Sequence, residues 1–551
     1  MNSESKLKLW LPLLCAIMLT GGMWTGYLLA DGDQISPAQQ KLATVFGLIE
    51  HEYVDEVSTD SLVEMAIPAL LKNLDPHTMY VPISELERVN RDLESSFFGV
   101  GVTFQIMSDS ICVVEVISGG PAQRAGILAG DRIIAVDGKP LVGKDLTEDD
   151  VFTALRGAKD SAVKLTVHRN TSRKPLDFDV VRGEIPSLSV DAAHLIDGNV
   201  GYVRVAKFAP NTYAEFLQAI ASLQAKGAES FVLDLRGNSG GLVQQAILIA
   251  NEFLDPYRTI VETRGREERR NEHWIADGSG NFTQQPLVVL VDEFTASASE
   301  IVAGAIQDND RGLILGRRSF GKGLVQQQID LPDSSQIRLT VQRYYTPSGR
   351  CIQKEYAAGK IDDYEKEVVE RYSNGEIFSA DSIKIDKDKI FSTVNGRKVY
   401  GGGGIIPDVF VPSDTTGYSS YYFRVADSGL LNKFAYEYAD LNRDDLSKAK
   451  NVEQLTKLLP DRNLLLWAFV KYAADNGVAQ RWYYINISAD LIVNQLKALI
   501  ARDILGLNAY YEITNATDPT VAEAIRQIRK GIDATIESQI VNDETSNNDH
   551  E

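Results

Sequence analysis

Three stretches of the chain place a hydroxyl or an amine beside glycines in a way that could do chemistry. Thr295-Ala296-Ser297-Ala298-Ser299-Glu300 follows the apolar run PLVVLVD and opens a helical pattern, SEIVAGAIQDN. A serine at a helix N-terminus sees the positive end of the dipole, where an oxyanion would be stabilised. The same residue types also serve as ordinary helix caps. Lys322 lies 25 residues after Ser297, in GRRSFGKGLVQ, and Gln326 four residues beyond the lysine. Four is even, so on a strand these two side chains would share one face.

The other two stretches read as decoys. Gly316 to Gly323 nearly matches a phosphate-binding loop, which needs Ser or Thr after its lysine and then a helix. Here Gly323 follows, and LVQQQIDLP reads as a strand entering a turn. Gly237-Asn238-Ser239-Gly240-Gly241 fits the G-x-S-x-G elbow between a strand and a helix. That elbow needs an acid and then a histidine, yet after Ser239 the chain offers only His273, in a charged loop, and His550, in the tail. These glycines are better suited to bringing backbone N–H groups close to a reacting oxygen.

The elements around these residues follow from pattern and punctuation. NVGYVRVAKF, ESFVLDL and PLVVLVD are strands alternating with helices from about Thr212 to Lys226 and through LVQQAILIANEF, which predicts an α/β layer with strands buried on both faces. Upstream, Ser36-Pro37 starts a helix, a second runs from about Ser61 to Leu74, and Ser84 with Glu87 forms the capping box of a third. The segment 355–397 is highly charged and reads as an exposed insertion or hairpin arm. Beyond Pro412 the pattern is helical, with an amphipathic helix through Ile492, Leu496, Leu499, Ile500 and Ile504, and the acidic tail 542–551 reads as disordered. The apolar C-terminal helices allow a homodimer.

Composition narrows the function. The 551 residues carry 56 Lys and Arg against 76 Asp and Glu, a net charge of −20, which argues against nucleic acid as a partner. With 44% hydrophobic residues the chain can bury a real core, and its length predicts three to four domains of about 150 residues. Cys15, Cys112 and Cys351 are too few for a disulfide framework, and the six histidines have no metal-ligand spacing, so neither a metal nor another cofactor is expected. Leu9 to Ala30 is a run of 22 uncharged residues, preceded by Lys6 and Lys8 and followed by Asp31 and Asp33. It is long enough to span a bilayer, with the bulk of the chain outside the cytoplasm. Leu28 stands where a cleavable signal needs a small residue, so residues 1–30 are expected to act as an uncleaved membrane anchor rather than a signal segment. The expected location is the cell envelope, facing the periplasm.

One stretch is suited to holding a peptide C-terminus. Phe98-Gly99-Val100-Gly101-Val102 places two glycines before a strand, where consecutive N–H groups can form a nest for a carboxylate. Gly120-Pro121-Ala122, Ala125-Gly126-Ile127, Gly130-Asp131-Arg132-Ile133 and Val136-Asp137-Gly138 follow in order. The stretch 96–182 resembles a PDZ domain, which implies capture of a protein C-terminus by strand addition. Arg156, near the end of its expected helix, is read as a structural arginine.

Residues 40 to 412 resemble the C-terminal processing (tail-specific) peptidases, which use a Ser–Lys pair. The markers are LDPHT, the PDZ region, VLDLRGNSGG, TASASEIVAGA, FGKGLVQ, RYYTPSGRCIQ and GGIIPDV. The resemblance implies a serine endopeptidase with Ser297 as nucleophile, Lys322 as general base and Gln326 orienting the lysine, acting on protein or peptide substrates held by their C-termini. The oxyanion would rest on the N–H of Ala298 and one in the Gly240–Gly241 turn. Two departures stand out: Arg317 replaces a residue often acidic in the family, and Pro68 interrupts the helix before LDPHT. The expected fold is multidomain α+β and α/β: N-terminal helices (31–95), a PDZ-like β-barrel (96–182), an α/β protease core (183–412) and a helical C-terminal region (413–541). The rival reading is a PDZ scaffold in the envelope that binds C-termini without cleaving them.

Overall fold

The computed structural model describes residues 36–90, 96–107, 110–117, 119–143, 145–169 and 172–548, with positions 18 and 20. Apart from those two positions the expected anchor, 9–30, lies outside the described residues. Among the described residues no helix is long and apolar enough to cross a membrane. The chain divides into two compact units, Met1–Asn73 and Leu74–Glu551. In the first, helix Pro37–Glu52 is capped by Ser36, whose hydroxyl accepts the Gln39 N–H while the Gln39 carbonyl accepts the Ser36 N–H. The second helix, Thr59–Leu71, starts at a Ser58 cap and runs through Pro68 rather than stopping there. A proline removes one helical donor and the helix continues for three residues beyond it.

The second unit opens with the strand Met79–Val81 and a 3-10 turn, Ile83–Glu85, that leads into the short helix Leu86–Asn90. The capping box expected from Ser84 is not what starts this segment. Pro82 occupies the cap position and no side chain caps the turn.

The module expected at 96–182 is a six-stranded antiparallel sheet with two short helices, Pro121–Ala125 and Glu148–Leu155, around a core of Ile111, Val113, Ile133, Val151, Leu165 and Val167. Strand Ser96–Gly99 pairs with Gly183–Pro186, so the module closes four residues past its expected boundary.

The core is a six-stranded sheet in the order 190–196, 200–205, 230–234, 287–291, 313–316, 409–410. Its first pair is antiparallel and every later pair parallel. Every residue of Ser230–Asp234 and Leu287–Val291 is buried, as two covered faces require. Helices Thr212–Ala225, Val243–Asn251 and Ala298–Asp308 cover one face. The other face is covered from far along the chain, by Val521 and Ala524 of helix Pro519–Lys530 and by Ile532 and Ile536 of helix Ile532–Asn548. Part of the C-terminal region therefore completes the α/β core. That last helix also takes up residues 542–548, expected as disordered tail, because a helix nucleated by buried Ile532 and Ile536 gains one bond per added residue. Along the chain between the last core strand and these helices, residues 421–513 form a separate helical cluster around Phe434, Phe469, Ile492 and Leu496.

The charged segment 355–397 is not an exposed arm. Its helix, Ile361–Ser373, buries Tyr364 and Arg371, and Glu376 beyond it pairs with Arg318. Of the charges read from the sequence as a solvated surface, Glu367, Arg371, Glu376 and Arg397 are paired inward, while most of the others are exposed.

Candidate active site

The parallel strands Ser230–Asp234 and Leu287–Val291 end side by side, and the two glycine- and serine-bearing loops leave from those ends. Open α/β sheets bind their ligands at such carboxyl ends. Asp292 ties the loops together: its Oδ1 accepts the N–H groups of Gly237 (2.9 Å) and Thr295 (3.1 Å), and the Thr295 hydroxyl donates to the Leu235 carbonyl at 2.9 Å. Ser297 is buried at the N-cap of helix Ala298–Asp308 with φ +58° and ψ −116°. A serine in such a region stores about 1–3 kcal/mol of strain, held here by the surrounding loops.

Gly240 lies against this serine. A Cβ at Gly240 would stand 2.7 Å from the Ser297 Cβ and 3.0 Å from the Ala298 nitrogen, and its φ is +107°. The Gly240 N–H donates to Asn238 Oδ1 at 2.9 Å, so it is spoken for. The N–H groups of Gly241 and Ala298 have no protein partner among the described residues. Of the two turn glycines considered, Gly241 is thus the one left with a donor to offer an oxyanion.

Lys322 shares with Ser297 a cleft of about 690 Å³, lined also by Leu188, Leu242, Leu324 and Tyr344. No hydrogen bond joins the serine hydroxyl to the amine; Lys322 Nζ donates instead to Gln326 Oε1 at 3.0 Å. Apo sites often hold such groups looser than the reacting complex does. Lys322 and Gln326 meet, but not by strand parity. The strand begins at Leu324 and carries an irregularity between Val325 and Gln326. Burial pushes the Lys322 amine below its ordinary value, and the Arg338 guanidinium adds to the effect, while Glu300 and Asp75 act against it.

Two organising groups escaped the sequence reading. Glu300, fully buried, accepts four hydrogen bonds: from the Ser319 hydroxyl and Gly321 N–H on Oε1, and from the Ser297 and Lys322 N–H groups on Oε2. One carboxylate oxygen therefore joins the backbone of the serine to that of the lysine. Burial raises the Glu300 carboxyl above its usual range. The second group is the turn at Asp75, whose carboxylate accepts the N–H groups of His77 and Thr78 and the hydroxyls of Thr78 and Thr340. This turn presents the His77 carbonyl to Gln326 Nε2. LDPHT marked the position of this turn without revealing what it touches.

The remaining expected residues sort as follows. The N–H groups of Gly321 and Lys322, which a phosphate loop would offer to a nucleotide, are taken by Glu300. Ser239 lines the cleft, whereas His273 lies outside its lining and bonds Thr259 across the hairpin of strands Thr259–Gly265 and Glu272–Ile275. Arg317 pairs with Glu293 at 2.8 Å. At the expected carboxylate loop, the carbonyls of Phe98, Val100 and Gly101 accept N–H groups from Gly157, Ala122 and Ile117. The N–H groups of Val100 and Gly101 have no protein partner among the described residues, Gly101 has φ +81°, and Val102 begins the next strand. Arg156 stacks on Phe97 and Phe152, within its own module.

Comparison with known proteins gives three family matches: Peptidase family S41 over residues 199–365, PDZ domain over 112–169, and a family of unknown function, DUF8443, over 421–506. The chain is 37% identical over 317 residues to the carboxy-terminal-processing protease of Bartonella bacilliformis, spanning 57% of this chain and 72% of that one. It is 34% identical over 332 residues to the carboxy-terminal processing protease CtpB of Bacillus subtilis, 59% and 68% of the two chains. Among solved structures, the photosystem II D1 C-terminal processing protease is 32% identical with a TM-score of 0.33, covering 58% of this chain and 91% of that chain.

Proposed function

The chain belongs to peptidase family S41, as a serine-type peptidase of the carboxy-terminal processing kind with a PDZ domain, and from that premise we propose that it is a Ser–Lys endopeptidase. The observation that carries the proposal is the cleft itself. It holds a strained serine, two unoccupied backbone N–H groups beside it, and a lysine turned by an uncharged glutamine.

A lysine at its ordinary pKa of about 10.4 is a poor base at neutral pH. Burial favours the neutral amine, which then takes the Ser297 proton as Oγ attacks the scissile carbonyl. Gln326 orients the amine without adding a negative charge that would hold the proton on it. The oxyanion rests on the N–H groups of Ala298 and Gly241. Lys322 returns its proton to the leaving amine, and water then releases the acyl group from Ser297.

The substrates are proteins or peptides whose free C-termini enter the nest at Val100 and Gly101. The enzyme works in the cell envelope, tethered through residues 9–30 and facing the periplasm, a location supported by the uncharged run and the lysines before it. Incubating the full chain with a peptide that ends in a free apolar residue tests the whole reading. Cleavage should disappear in Ser297→Ala and Lys322→Ala and persist in Ser239→Ala; amidating the peptide C-terminus should weaken its capture. Cleavage that survives Ser297→Ala or Lys322→Ala rejects the Ser–Lys mechanism.

A further inference from the structure

We propose that His77 and Tyr364 are positioning residues for Lys322, members of a closed ring of hydrogen bonds that fixes the direction of the Gln326 amide. The inference rests on the Ser297–Lys322 reading above. From Lys322 Nζ the ring passes to Gln326 Oε1 at 3.0 Å, and from Gln326 Nε2 to the His77 carbonyl. It continues from His77 Nε2 to the Tyr364 hydroxyl at 2.9 Å, and from there to Gln353 Nε2 at 3.2 Å. Gln353 Oε1 then accepts the Gly323 N–H at 2.8 Å, one residue from Lys322.

Donor and acceptor counting gives the ring one sense. The His77 carbonyl can only accept, so it holds the NH₂ end of Gln326 and leaves the oxygen facing the lysine. A reversed amide would point N–H groups at the amine and remove its acceptor. Gln353 Nε2 donates to Tyr364, which leaves the tyrosine proton free to go to His77 Nε2 in the tautomer of the neutral imidazole that carries its hydrogen on Nδ1. The charged groups facing that ring agree. Burial comes first in holding His77 down to about 4, Lys322 and Lys354 add to it, and only Asp75 opposes.

Tyr364 comes from the charged segment 355–397 and is almost fully buried. Lys354 Nζ sits 4.2 Å from its ring centre and 4.0 Å from that of Phe320, and donates to the Tyr364 carbonyl at 3.1 Å. The hydroxyl is therefore delivered by a rigid cage. Removing that hydroxyl alone leaves the cage in place, which separates positioning from folding.

The test is Tyr364→Phe beside Lys322→Ala in the full chain, cleaving a fluorogenic peptide with a free apolar C-terminus. The inference expects kcat to fall roughly tenfold or more with KM within about twofold. It also expects the pH limb of kcat set by the lysine to move upward, because a loosened amide admits water and relieves the burial that keeps the amine neutral. An unchanged kcat and limb overturns it, and so does a fall in kcat with the limb unmoved and the melting temperature lowered, which marks a packing role only. Wild-type cleavage by Lys322→Ala would instead reject the Ser–Lys reading, leaving a different pattern of failure.

Discussion

Glutamine in place of Glu300 tests whether one buried carboxylate assembles the site. Glu300 Oε1 receives the Ser319 hydroxyl and the Gly321 N–H at 2.8 Å; Oε2 receives the N–H groups of Ser297 at 2.8 Å and Lys322 at 2.9 Å. A glutamine keeps one oxygen, and its NH₂ must face two of these donors. With NH₂ toward Ser297 and Lys322, both backbone N–H groups are orphaned. Turned the other way it orphans only Gly321, because the Ser319 hydroxyl can rotate to accept. The second arrangement is the cheaper one.

Its cost can be worked through. A bond to a charged acceptor contributes about 1.5–3 kcal/mol and a neutral one about 0.5–1.5, while an orphaned buried donor costs about 1–3 kcal/mol. Two weakened bonds and one orphan come to roughly 3–6 kcal/mol. Part of this is returned because a charge is no longer buried, a real penalty at a site where burial already raises the carboxyl. A net loss of about 2–4 kcal/mol follows, or about 4–16 °C in the melting of the core. Because the preferred glutamine still holds Ser297 and Lys322, kcat should fall by about 10- to 100-fold rather than vanish. Glu300→Ala, which strands all four donors, should lose more on both counts. Thermal melts and peptide cleavage on the same preparations decide it. A Glu300→Gln protein melting within about 2 °C of wild type, with unchanged kcat, refutes the account.

Wild-type kcat should rise with pH through a midpoint below the ordinary lysine value of 10.5, and Arg338→Gln should move that midpoint upward by removing a cation that depresses it; a downward move contradicts the electrostatic assignment. Gly240→Ala forces a Cβ to within 2.7 Å of the Ser297 Cβ at φ +107° and should cut cleavage at least about 100-fold while leaving peptide capture by the PDZ domain, read by fluorescence anisotropy, intact. Retained cleavage there removes Gly240 from the site wall. His77 is held near 4 in the fold against 6.5 free, so the unfolded chain binds more protons between those values. Stability present above pH 6.5 should be lost as pH falls through 4, by up to about 3 kcal/mol, and His77→Asn should flatten that acid limb of a denaturation series.

What could be read from the chain were the residues that carry their own local signal. Ser297 follows an unbroken apolar strand and opens a helix, Gly99 and Gly101 precede a strand, and the glycines at 240–241 sit between strand and helix. Pattern and turn chemistry suffice for those. Glu300 was visible only as the fourth residue of a cap-like sequence, because three of its four donors come from a separate stretch of chain, Ser319 to Lys322. The insertion misled for a related reason. Thirteen residues of IDDYEKEVVERYS look solvated by composition, but Arg371 is buried to donate to the carbonyls of Arg318, Ser319 and Phe320, and Glu367 receives Arg318, Lys354 and Arg371. Charges that neutralise one another across the fold cannot be told from surface charges by counting them. The C-terminal helices over the second sheet face were hidden by distance alone: Val521 and Val288 are 233 positions apart.

These failures share a cause that bears on the chemistry. A histidine base works near its free pKa, so a Ser–His site needs little more than two side chains brought together. A lysine base must first be driven toward neutrality, and only exclusion of water does that without a competing charge. Excluding water from a long amine takes walls on the sides away from the cleft. Here they come from Asp75–Thr78, from Glu300, from the strand after Leu324 with Arg338 opposite, and from Gln353 and Tyr364. The buried face of the charged insertion joins this assembly through Tyr364, which meets His77 and Gln353, and Arg371, which donates to the Ser319 carbonyl. In the proposed Ser–Lys site the candidate base is thus assembled from segments far apart in the chain.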